Sequence, residues 1–171
     1  GLTGSPFDSF QTLRGLRTLN VRYRQHAENA AEIAAYLADN NLVERVYYPG
    51  LESHPGHEVA ARQQESFGAM ISFEIAASDE EIPIFLSNLE LFTLAESLGG
   101  VESLVAHPAS MTHAAMNEAS QRAAGISGRL LRLSVGIEYA GDLLADLERG
   151  FASIRSRRGQ PRVVSAVSAG R

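Results

Sequence analysis

The chain has 171 residues, 44% of them apolar and 20% charged, with a formal net charge of −5. That balance fits one globular domain with room for an appendage, and it argues against nucleic acid as a partner, because phosphate binding needs clustered positive charge. Cysteine is absent and all 15 basic residues are arginine, so disulfides, thiolate metal sites, cysteine nucleophiles and amine nucleophiles such as a Schiff-base lysine all lie outside this chain's chemistry.

Ser5-Pro6 has the form of a helix N-cap and first helical residue, and Asp8 falls where the helix dipole favours negative charge. Beyond Gly15, the residues Leu16, Leu19, Tyr23, Ala30, Ala34 and Leu37 recur at helical spacing, which predicts a long amphipathic helix ended by Asp39-Asn40-Asn41. A short strand follows over Leu42–Tyr48, stopped by Pro49-Gly50, and then a loop and a short helix through Arg62-Gln63-Gln64. Gly68–Ile75 alternates as a strand, with Ala69, Ile71, Phe73 and Ile75 on one face.

Asp79–Asn88 reads as a helix with Pro83 in its first turn. Leu91 to about Glu96 is expected as a core strand, and Leu130–Val135 as another, with Arg132 and Ser134 opposite its apolar face. A last helix begins near Asp142 with Leu144, Leu147, Phe151 and Ile154 as its stripe, and the residues after about Arg155 lack any period. The expected fold is α+β: a small, mainly antiparallel sheet with helices on one face, preceded by long helices. No apolar run approaches the roughly 18 residues that span a bilayer, so no membrane partner is expected. No signal peptide is recognisable at the start, and a cytoplasmic location is the expectation.

Several residues invite a functional reading. His54 and His57 flank Pro55-Gly56, a spacing that spoils the single helical face zinc hydrolases need. His113 has no Asp or Ser at a recognisable spacing, and Gly125-Ile126-Ser127-Gly128 fails the nucleophile-elbow pattern. Arg132 stands out, because a guanidinium in the middle of an apolar strand requires a partner. Either it pairs with a carboxylate such as Glu96 or Glu138, or it waits for a ligand carboxylate, which its fork fits. Glu96 and Ser97, ahead of Gly99-Gly100, admit a surface turn or a cleft where the backbone approaches a ligand.

At these residues a resemblance enters. LFTLAESLGGVESL at 91–104, then His107-Pro108-Ala109-Ser110-Met111-Thr112-His113, then Leu131-Arg132-Leu133-Ser134-Val135-Gly136-Ile137-Glu138, resembles the C-terminal part of the pyridoxal-phosphate-dependent enzymes of Cys/Met metabolism. Pro6-Phe7-Asp8-Ser9-Phe10 with Leu13-Arg14-Gly15-Leu16-Arg17-Thr18-Leu19 is similar to the segment joining their large and small domains. Within that family the likeness is to the cystathionine γ-synthase branch, followed by the cystathionine and methionine γ-lyases.

The resemblance implies a C-terminal domain of the aspartate-aminotransferase-like fold. Residues 1–41 would be connecting helices, 42–155 a small α+β domain and 156–171 a loose tail. Arg132 would bind the substrate α-carboxylate, with the Leu98 backbone close to the same group. Ser97 would help hold the catalytic lysine and the substrate, and Glu96 would line the distal site where γ-substituents exchange. The cofactor would be pyridoxal phosphate, held mainly by N-terminal and large domains absent from this sequence, and the complete enzyme a homotetramer acting on O-acylhomoserine, cysteine or cystathionine. Without a lysine, this chain alone is expected to be inactive. A reading of another class is a non-catalytic binding or assembly module.

Overall fold

The computed structural model describes residues 3–159. The first helix, α1 (Pro6–Arg17), starts as its sequence dictates: Ser5 lies in extended backbone and its hydroxyl accepts the Asp8 N–H at 3.3 Å. It buries no residue. The single long helix expected from Leu16 is instead broken at Thr18, and α2 (Leu19–Ala38) begins after it. At the break, Gly15 O accepts from the Thr18 N–H and from Arg22 Nη1, at 3.3 and 3.0 Å. In α2 burial starts at His26 and Ala27 and continues through Asn29, Ala30, Ile33, Ala34 and Leu37.

Five strands form one sheet: β1 (Val43–Tyr47), β2 (Met70–Ile75), β3 (Thr93–Leu94), β4 (Leu104–Ala106) and β5 (Leu130–Ser134). Their order is β1-β2-β5-β4-β3, and only the β3–β4 pair is parallel. Three short helices, α3 (His57–Gln63), α4 (Glu81–Ser87) and α5 (Glu118–Ala123), lie between strands, and α6 (Ala140–Gly159) follows β5. The expected α+β sheet with helices on one face is the fold observed.

Period-two patterning sets the two faces. Ile71, Phe73, Leu131, Leu133 and Val105 are fully buried and pack with Leu37 of α2, Phe85 of α4, and Leu147 and Phe151 of α6. Phe73, Phe85 and Phe151 meet with ring centroids 4.9–6.5 Å apart, each burial worth about 1.5–3 kcal/mol. The register of β2 against β5 places Ser72 opposite Arg132 and Met70 opposite Ser134, on the face away from the helices.

The core strand expected from Leu91 to Glu96 is reduced to the two residues of β3. Only Thr93 and Leu94 are extended, both exposed at the sheet edge, and Phe92 alone of Leu91–Leu94 is buried. The cause is Asp146 of α6, whose fully buried carboxylate accepts the N–H groups of Glu90, Leu91 and Phe92 at 2.8, 3.0 and 2.9 Å. Three successive donors converge on one carboxylate only if the backbone turns. Strand β4 was not foreseen, because three residues buried on both faces give no alternation to read. Helix α6 runs on to Gly159, so residues 156–159, expected in the tail, are helical; residues 160–171 lie outside those described.

Candidate functional site

Arg132 leaves the middle of β5 on the face opposite the helices and is half-buried. Its Nη2 donates to the carbonyls of Glu96 and Ser97, at 2.9 and 3.3 Å. Neither expected ion pair forms: Arg132 meets the backbone of Glu96, not its carboxylate, and Glu138 is engaged elsewhere. Its Nε is buried and has no hydrogen-bond partner. A buried guanidinium donor left open is costly, and a carboxylate is the acceptor that fits it best.

The 96–99 loop over this arginine presents Glu96, Ser97 and Leu98 with exposed side chains. Gly99 has φ +78° and open space around its missing Cβ, so the left-handed backbone is what requires glycine there. Its N–H donates to the buried Ser134 hydroxyl at 2.9 Å. Farther on, the segment is laced to the exit of β5. Ile137 N–H donates to Val101 O at 2.9 Å, and Gly136 N–H to Ser103 Oγ at 2.8 Å. A Cβ on Gly136 would meet Val101 O at 2.4 Å, so that close approach needs glycine.

Glu138 accepts from the Ser103 N–H and hydroxyl, at 2.7 and 2.8 Å. From α2, Asn29 Nδ2 donates to Gly136 O and Glu138 O, and His26 Nδ1 to Val135 O at 2.7 Å. Sequence reasoning missed His26, Asn29 and Ser103 as supports of the site. A polar pair three apart beside Ala30 and Ile33, in the buried half of a helix, was the available signal. A cavity of about 1200 Å³ opens beside this face, lined by Tyr23, Phe67, Leu98, Gly99 and Ser134 among others.

His54, His57 and His113 stay outside this arrangement. His57 opens α3, donates from Nδ1 to Pro49 O at 2.8 Å and stacks on Phe67, while His54 Nδ1 accepts the Gly56 N–H. His113 Nδ1 bonds the Thr112 hydroxyl at 2.8 Å. Among the described residues, no cluster of three or more His, Asp or Glu could hold a metal, and no helix is long and apolar enough to cross a membrane.

Residues 1–152 match the family described as Cys/Met metabolism PLP-dependent enzyme. The chain belongs to that family. Cystathionine γ-synthase of Escherichia coli is 55% identical over 151 residues, covering 88% of this chain and 39% of its own length. L-Methionine γ-lyase of Fusobacterium nucleatum subsp. polymorphum is 47% identical over 154 residues, 90% of this chain and 39% of the relative. The solved cystathionine γ-synthase of Xanthomonas oryzae pv. oryzae, in complex with aminoacrylate and cysteine, superposes with a TM-score of 0.85 at 60% identity, over 91% of this chain and 40% of that one. The chain therefore spans about two fifths of the length of these relatives.

Pyridoxal phosphate is the cofactor of this Cys/Met-metabolism family. The residues present do not fit its covalent attachment, since the sequence contains no lysine. They fit an anionic partner instead, because the one orphaned buried side-chain atom among the described residues is the guanidinium Nε of Arg132.

Proposed function

We propose that this chain forms the substrate-carboxylate wall of a cystathionine γ-synthase, an enzyme that replaces the acyl group of an O-acylhomoserine with the sulfur of cysteine. The observation that carries the reading is the half-buried Arg132, whose Nε lacks a partner beside the exposed Glu96-Ser97-Leu98 loop. Likeness to the Escherichia coli and Xanthomonas synthases supports that branch. Arg132 would orient the amino acid by its α-carboxylate, assisted by the Leu98 backbone. Ser97 would present its hydroxyl toward the reacting amine, and Glu96 would face the departing and entering γ-groups. When bound, pyridoxal phosphate supplies an electron sink for charge developing on the amino-acid carbons. Its lysine and phosphate contacts would come from the rest of the enzyme, assembled as a homotetramer in the cytoplasm.

Likeness to L-methionine γ-lyase favours elimination as the second reading. The complete enzyme separates the two: cystathionine formation from O-acylhomoserine and cysteine supports the synthase, and keto-acid release from methionine or cystathionine alone supports a lyase. In either case Arg132→Ala is expected to raise KM for the amino acid and lower kcat/KM by a factor that corresponds to about 2–4 kcal/mol. An unchanged kcat/KM would remove Arg132 from the site.

A further inference from the structure

Two side chains of β5 reach the same loop. Arg132 and Ser134 stand two residues apart on one face of the strand, Arg132 holding the Glu96 and Ser97 carbonyls and Ser134 the Gly99 N–H. Among the hydrogen bonds of the described residues, the Ser134–Gly99 bond is the one link between residues 96–100 and β5 that does not pass through Arg132. Between its flanking bonds, Ala95 N–H to Val105 O and Ile137 N–H to Val101 O, the loop has little else to hold it, since the side chains of Glu96, Ser97 and Leu98 are exposed. Ser134 is only 2% exposed, so the hydroxyl is held in place by its surroundings while the Gly99 end of the bond is open to the cavity.

We propose that Ser134 is a positioning residue for the carboxylate clamp. By fixing Gly99, its hydroxyl sets the Glu96 and Ser97 carbonyls against one nitrogen of Arg132 and leaves the other donors free for a substrate carboxylate. The inference rests on the assignment of Arg132 as that clamp. Removing the hydroxyl deprives the Gly99 N–H of its acceptor and leaves Arg132 as the only link from β5 to residues 96–100 among the hydrogen bonds of the described residues. The guanidinium then serves two competing tasks, holding the backbone and holding the ligand.

The test uses the complete enzyme and two competitive inhibitors: homoserine, and 3-aminopropan-1-ol, which is homoserine without its carboxylate. Ser134→Ala is expected to raise the amino-acid KM and the inhibition constant of homoserine about 2–10-fold, the scale of one lost part-buried hydrogen bond, with little change in kcat or in inhibition by the amine. Ser134→Thr, which keeps the hydroxyl, should restore much of the homoserine affinity. If Ser134→Ala does not fold, Gly99→Ala carries the same expectation, since that position has space but requires positive φ. Equal weakening of both inhibitors, or none of homoserine, overturns the role of Ser134. Equal binding of the two by the unmodified enzyme overturns the Arg132 clamp instead.

Discussion

Glu81 sits at the start of α4 with its side chain 11% exposed, and two arginine nitrogens meet it. Arg158 donates from Nε to Oε1 and from Nη2 to Oε2, both at 2.8 Å, and the Ser78 N–H adds a third donor at 2.9 Å. Arg158, and then Ser78, outweigh burial and hold the carboxyl down to about 2 from 4.5. A depressed folded-state value means that the unfolded chain binds the proton more readily. The stabilisation is therefore complete above about pH 4.5, declines as the pH falls, and is gone below about 2. Glu81→Gln is expected to cost about 2 kcal/mol at neutral pH and to flatten this part of the acid slope. Urea midpoints from pH 6 down to 3, with and without the substitution, measure it; parallel curves would refute the pairing.

Elements were legible where one face repeats. In β2 and β5 the period-two alternation announced both strands, and it exposed Arg132 as a charge on an otherwise apolar segment. Over Leu91–Glu96 an apolar run predicted more strand than the two residues that form, because apolar content says nothing about where backbone donors go. The Asp146 carboxylate that turns this backbone lies more than fifty residues away in sequence. The Ser134–Gly99 bond, 35 residues apart, was hidden for the same reason. Glu96 and Ser97 were noticed only because an apolar run turned polar. Asp146→Ala should leave three N–H groups without acceptors and cost about 2–4 kcal/mol. Hydrogen exchange at Glu90, Leu91 and Phe92 should accelerate well before that of β5; protection equal to the unmodified chain would show the carboxylate to be dispensable.

Across the whole molecule, apolar surface is distributed unevenly. Phe7, Phe10, Leu13 and Leu16 of α1 are 51–68% exposed, in a row of successive spacings of three that keeps neighbours adjacent while winding part-way round the helix, whereas the sheet and its covering helices hide their own stripes. An uncovered row of this size marks an interface. The relatives are about two and a half times as long as the part matched, so most of a family enzyme lies outside these residues. We propose that α1 packs against that remainder as a connecting helix, while the buried part of α2 belongs with the sheet whose core it shares. Isolated, the chain should then self-associate through this row. Phe7→Gln with Phe10→Gln should shift its sedimentation toward monomer and leave the unfolding midpoint nearly unchanged, because α1 buries nothing. In the complete enzyme the same pair should destabilise the junction by about 2 kcal/mol or more. A doubly substituted complete enzyme as stable as the parent would mean that α1 stays in solvent and that the joint lies elsewhere.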